Sequence, residues 1–268
     1  MASGNNYVKK TVSEIYGKPT ATVIHSRLPI FQASRKVREI SQGVWETGWG
    51  KVEISGRLGQ IHRDLHDIIM TYGEEYQIGD RGDLNILIDP ANIKQFMGIK
   101  NPNFLDALLE DMRKARVRIE VKGENEKSSL GGIISVVDKE AGEIDGPGGF
   151  MQRRNLWTIT ISRTWMGIYN QMIKVRYAPA LPIIMEMKSG FAQAMARFFL
   201  THSKQMNMEL SNCLKAIGVA QKEKEVRRSI KSDLSLLEKL GITFDGATIR
   251  YQQQNGMVSF ENPQKQIG

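Results

Sequence analysis

Apolar residues at three- and four-residue steps mark out a succession of helices along this chain. Leu58, Ile61, Leu65, Ile68 and Ile69 predict an amphipathic helix that Gly73 closes. A short helix over 90–97 follows Asp89-Pro90, because aspartate can cap and proline suits the first turn. Asn101-Pro102 opens another, with Phe104, Leu105, Leu108, Leu109 and Met112 as its apolar stripe to about Ala115. Further along, Ser189 sits as the cap of a helix that buries Phe191, Met195, Phe198 and Phe199. Leu210, Leu214 and Ile217 then give a helix ended by Gly218, and Val226, Ile230, Leu234 and Leu237 give a second over 222–240, ended by Gly241.

β-prone runs fall between and after these helices. Residues 84–88, 117–121, 132–137 and 157–162 read as strands, with 123–130 as a polar turn. The runs 247–253 and 257–260 are expected to pair across Asn255-Gly256, with Asp245-Gly246 as another tight turn just before them. Residues 28–50 give mixed signals and no assignment.

The order helix, strand, helix, helix, strand, turn, strand thus occurs twice, as a repeat of pattern and not of letters. Two helices at a sharp angle followed by a β-hairpin make a winged helix, which lays its second helix in the major groove. The expected fold class is therefore α+β, with two tandem winged-helix domains at 51–138 and 155–261. A flexible or irregular arm over 1–50 precedes them, a glycine-rich linker or loop at 139–154 joins them, and 262–268 is a tail.

Charge sharpens this picture. The chain has 268 residues, a formal net charge of +8 and a pI near 9.5, which suits a polyanionic partner. Lys222, Lys224, Arg227, Arg228 and Lys231 lie largely off the apolar stripe of the 222–240 helix. A helix with an apolar back and a cationic front can fill a groove while its charges displace phosphate counterions, and Gln221, Ser229 and Ser232 can meet base edges. A merely solvated helix shows the same charges, but it predicts no hairpin behind it. The corresponding helix of the first half carries Asp106, Glu110 and Asp111 beside Asn103, Arg113 and Lys114, and carboxylates oppose phosphate. Strong DNA binding is not expected there.

Candidate chemistry is thin. No phosphate-cradling or dinucleotide glycine motif is present. His62 and His66 stand four apart, but with two other histidines and no cysteine pair they suggest no metal site, and Tyr169 and Tyr177 lack the histidine cluster of a nicking enzyme. Asp64, Asp67, Glu74 and Glu75 read as solvated acids. The single Cys213 excludes an internal disulfide and reads as a buried small hydrophobe. No enzyme activity and no cofactor are expected. Apolar runs fall short of the roughly 18 to 20 residues a membrane span needs, so a cytoplasmic protein without a membrane partner is expected.

The stretch Met187-Lys188-Ser189-Gly190 through Ala196-Arg197-Phe198-Phe199-Leu200, followed by the basic helix, resembles the winged-helix plasmid replication initiators, the Rep proteins that bind iterons. The resemblance spans about 58–260. It implies a non-enzymatic protein that binds double-stranded DNA at direct repeats of an origin, opens it and recruits host replication proteins, with homodimer contacts through the first domain. By position it puts DNA-facing roles on Lys222, Lys224, Arg227, Arg228 and Lys231, and on Arg250 beside the second wing. Arg116, Arg118 and Lys122, near the first wing, are candidate backbone contacts. The competing readings are a dimeric transcriptional regulator of the same fold, which needs a palindromic site, and a scaffold whose basic helix docks an acidic protein.

Overall fold

The computed structural model describes residues 21–48, 50–73, 75–79, 81–121, 127–139, 141–145, 151–171, 173–219 and 222–261. The chain enters through a two-residue strand β1 (Ala21–Thr22) and a short helix α1 (Val23–Arg27), then runs through an irregular segment to the antiparallel pair β2 (Ile40–Thr47) and β3 (Gly50–Gly56). Helix α2 (Gln60–Tyr72) follows, then β4 (Glu75–Ile78), β5 (Leu84–Ile88), α3 (Pro90–Met97) and α4 (Pro102–Lys114). The caps read from sequence are in place. Asp89 accepts from Ala91 N at 2.8 Å and Asn101 from Asn103 N at 3.0 Å, so each supplies an acceptor for a backbone N–H left open in the first turn.

After α4 the chain makes two excursions. Strands β6 (Arg116–Val121) and β7 (Lys127–Gly131) add to β2 and β3 in a four-stranded sheet of order β2-β3-β6-β7. Then β8 (Ile134–Asp138) leads into β9 (Ala141–Asp145), and β10 (Met151–Asn155) returns into β11 (Trp157–Ile161). β11 lies between β5 and β8, giving a second sheet of order β4-β5-β11-β8. Alternate residues of β5 and β11 point inward: Leu84, Ile86, Ile88, Trp157, Ile159 and Ile161 are buried, each aliphatic side chain contributing about 1.5–3 kcal/mol by leaving water.

Helix α5 (Arg163–Gln171), strand β12 (Lys174–Arg176) and helix α6 (Leu181–Glu186) connect to the second half. There α7 (Gly190–Phe199) is capped by Ser189, whose side chain accepts from Ala192 N at 3.3 Å. β13 (Met206–Glu209), α8 (Leu210–Ala216), α9 (Glu223–Ile230) and α10 (Leu234–Lys239) follow, then β14 (Ile242–Phe244) and β15 (Thr248–Tyr251) in a sheet of order β13-β15-β14. Strand β16 (Ser259–Glu261) leaves this unit and pairs with β12, which also holds β1. Buried apolar residues of both halves belong to one continuous core.

The protein is thus a mixed α and β structure with several antiparallel sheets. Residues 21–48, expected within a flexible or irregular arm, hold β1, α1 and β2, and 127–130, expected in a polar turn, belong to β7. Residues 139–154, expected as a linker or loop, include the paired strands β9 and β10. β11, expected in the second half, is an inner strand of the first half's sheet, while 117–121 belongs to the other sheet. In the second half the hairpin turns at Asp245-Gly246, where Asp245 accepts from Ala247 N and Thr248 N, and Asn255-Gly256 is not a hairpin turn. Residues 1–20, Gln221, Lys122 and 262–268 lie outside the described residues.

Candidate nucleic-acid interface

Both α2 and α7 open a half of the chain, and both carry a polar stripe on an otherwise apolar helix. These stripes face each other. Arg197 on α7 donates to Asp64 at 2.7 Å, to Asp67 at 2.9 Å and to Gln60 Oε1 at 3.0 Å, all on α2. Arg63 pairs with Asp67 at 2.9 Å and donates to the His25 carbonyl, Ser26 and Tyr177. The Tyr177 hydroxyl in turn donates to Asp67 at 2.7 Å. Arg63, Asp64, Asp67 and Arg197 are all within 3% of full burial. Burial pushes the Asp67 carboxyl up, but the Arg63 and Arg197 guanidinium groups outweigh it and hold the group well below the usual carboxylate range. Arg63 and Arg197 face the two carboxylates from within, Arg35 approaches Asp64 from the surface at 3.6 Å, and the network fixes α7 on α2.

The histidines are committed to the same framework. Trp165 Nε1 donates to His66 Nε2 at 3.0 Å, so the proton of neutral His66 sits on Nδ1 and faces Asp67 at 3.2 Å. His62 accepts from Gly59 N with Nδ1 and turns Nε2 to Asp111 at 3.3 Å. Burial lowers the pKa of both rings. Their nitrogens hold helix ends and neighbours together, and no cluster of metal-ligating side chains occurs among the described residues. Cys213 is buried, which pushes its thiol up to about 12.

On this scaffold α9 and α10 form the candidate interface. The expected single helix over 222–240 is broken by a 3-10 turn, Lys231–Asp233, because Asp233 turns inward. Its carboxylate, 1% exposed, accepts from Lys188 N at 3.0 Å and Ser189 N at 2.8 Å. That ties the middle of the basic helix to the start of α7. Val226, Ile230, Asp233 and Leu237 make the buried side. Lys224, Arg228, Lys231 and Ser235, at steps of four, three and four, are exposed on the opposite side. Lys222 is exposed at the N-cap. Arg227 lies on neither stripe and is paired with Glu223 at 3.0 Å. Ser229 bonds to Ser189 at 3.2 Å and to the Val226 carbonyl, so its hydroxyl braces α9 against α7. Arg250, on β15, is held by Asp245 at 2.9 Å beside the hairpin turn.

The matching helix of the first half, α4, presents a different surface. Its carboxylates are spent internally: Asp106 on Lys139 at 2.8 Å, Glu110 on Arg113 and Lys114, and Asp111 on His62 and Arg57. Arg113 and Lys114 are thereby occupied as well. Phe104, expected in the apolar stripe, is 41% exposed. Arg116 and Arg118 lie on β6, in the sheet with β2 and β3 and not in the β9–β10 pair, and Arg118 faces Glu53 at 3.9 Å. Lys122 lies outside the described residues.

What sequence reasoning missed is the buried ionic network. A signal was present: Gln193 and Arg197, four apart, are the only polar side chains from Phe191 to Leu200. They match the spacing of Gln60, Asp64 and Asp67 on α2.

No protein-family model matches the chain, and no curated protein sequence does. Among solved structures, a selenomethionine crystal structure of domains 2 and 3 of RctB aligns with a TM-score of 0.49 at 10% identity, covering 86% of this chain and 92% of that one. A second crystal structure of RctB domains 2–3 gives a TM-score of 0.47 at 11% identity, covering 91% and 99%. Likeness of this degree transfers no activity to this chain. No helix among the described residues is long and apolar enough to cross a membrane.

Proposed function

We propose that this chain is a sequence-specific double-stranded DNA-binding protein built on two winged helices, acting as a plasmid-type replication initiator without chemistry of its own. In this reading α2, β5, α3, α4, β8 and β11 form the first winged helix, with β9 and β10 as its wing. α7, β13, α8, α9–α10, β14 and β15 form the second, with the turn at Asp245-Gly246 as its wing. In both units the strand that leads into the second helix, β5 or β13, pairs with the last strand, β11 or β15, which pairs in turn with β8 or β14. The observation that carries the reading is the exposed stripe Lys224, Arg228, Lys231 and Ser235, standing opposite the buried Val226 and Ile230 on a helix anchored by Asp233. Such a helix enters the major groove with its cations toward phosphate and base edges.

The Asp67–Arg197 network supports direct repeats over a palindrome. It fixes two units of one chain on one another, so a single molecule carries α9 and α10 beside a second winged-helix unit without needing a symmetric partner copy. α9 and α10 select the sequence, while α4, its acids and bases mutually paired, makes weaker DNA or protein contacts, including those of a homodimer. Host replication proteins are the partners recruited once the repeats are occupied. The test is the doubly substituted Arg228→Ala/Lys231→Ala protein, titrated against an enriched duplex. The reading expects loss of sequence preference in a folded protein; unchanged preference and unchanged salt dependence would overturn it.

A further inference from the structure

The segment between α1 and β2 has no regular secondary structure, yet it is fastened at many points. Gln32 N donates to the Leu58 carbonyl at 2.9 Å, and Gln60 N donates to the Ser34 carbonyl at 3.1 Å. The Gln32 amide closes the loop on itself, donating to the Arg38 carbonyl at 2.7 Å and accepting from Arg38 N at 3.3 Å. Ser34 Oγ accepts from Lys36 N at 3.1 Å. Two glycines let it lie close: a Cβ on Gly59 would stand 2.9 Å from the Ser34 carbonyl oxygen, and one on Gly190 2.6 Å from Ser34 Cα. Residues 32–38 are therefore a strap laid across the starts of α2 and α7, where the two halves meet.

The strap is basic and borders the reading helix. Arg35 is anchored to the buried Asp64 at 3.6 Å, but Lys36 and Arg38 are exposed and have no carboxylate within 4.0 Å among the described residues. Both line an open cleft of about 560 Å³ whose other wall is Ile217, Gly218, Val219 and Glu225. That wall is the turn between α8 and α9 together with the first turn of α9. Glu39, which follows the strap, and Glu225 across the cleft make no ion pair with Lys36 or Arg38 among the described residues.

We propose that residues 32–38 are a phosphate-binding strap, in which Lys36 and Arg38 grip the backbone of the same duplex that α9 reads. This rests on the DNA-binding reading of α9. A loop already closed by its own hydrogen bonds loses little freedom on binding, so its cations cost less to immobilise than those of a free arm. Phosphate contacts of this kind fix register and raise affinity without selecting bases.

The experiment compares Lys36→Ala/Arg38→Ala with Arg228→Ala/Lys231→Ala and with the unsubstituted protein, on an enriched and a scrambled duplex, across a salt series. Two lost phosphate contacts, at about 0.9 each, lower the slope of log affinity against log salt by about 2. The strap variant is expected to weaken both duplexes by the same factor and to keep the base preference. An unchanged slope in the strap variant, with preference lost only in the α9 variant, would overturn the strap and leave the DNA reading standing. Sequence-indifferent, salt-independent behaviour of the unsubstituted protein would overturn both.

Discussion

At the residue scale, the basic helix divides into side chains that hold the fold and side chains left for a ligand. Arg227 pairs with Glu223 and Ser229 braces α9 on Ser189, whereas Arg228 and Lys231 are exposed. Arg228→Ala with Lys231→Ala is expected to cost specific binding a few kcal/mol, each good base contact being worth about 1–3 kcal/mol. Arg227→Ala should change it far less. Fluorescence anisotropy on one enriched duplex separates the two, and equal losses would contradict the division. A second residue-scale prediction concerns Arg197. Replacing it with methionine leaves Asp64 and Asp67 buried without their shared partner, and breaking such a pair costs about 3–5 kcal/mol. Urea unfolding measures it; a loss below about 1 kcal/mol would mean the network is not what joins the halves. Helix periodicity alone did not reveal this, because it reports which side of a helix is apolar and not whether the polar side meets water or another helix.

At the element scale, most helices were legible and strand pairing was not. Caps at Asp89, Asn101 and Ser189 are local events, and each stands where the sequence puts it. Pairing is non-local. The glycines of 142–149 suggested a break, yet Gly142 lies within β9 and pairs with Arg154 of β10. Asn255-Gly256 is a strong local turn signal overridden by β12, which takes β16 as its neighbour, while the shorter Asp245 turn closes the real hairpin. The Lys231–Asp233 turn was hidden for a similar reason, since Asp233 is drawn in by backbone groups 44 and 45 residues away. One position tests the junction of α10 and β14. Gly241 has φ of +77° and an added Cβ would stand 2.0 Å from the Gln252 carbonyl oxygen. Gly241→Ala is expected to destabilise by more than about 1 kcal/mol, through both strain and clash. A thermal midpoint equal to that of the unsubstituted protein would show the junction wrong.

At the scale of the whole molecule, the buried polar layer makes stability depend on pH above the carboxylate range. Burial holds His25, His62 and His66 below the ordinary histidine value, and holds His202 at about 4. A histidine whose folded pKa is lowered contributes stability that is full above its unfolded value, about 6.5, and is lost as pH falls toward the folded value. Asp67, also lowered, adds a loss of the same sign once pH drops below about 3.9. The urea midpoint should therefore fall between pH 7 and pH 5; a flat midpoint over that range would contradict the buried neutral histidines.

If α9 and α10, carried on a unit fixed to a second winged-helix unit, read DNA, the bound sites hold their motif as repeats. Selection of bound duplexes from a random pool, at near-physiological salt so that purely electrostatic binding is suppressed, tests it most directly. The enriched motif is expected to occur as direct repeats. An inverted repeat would point to a symmetric regulator, and a pool that stays random after selection would contradict DNA reading by this chain.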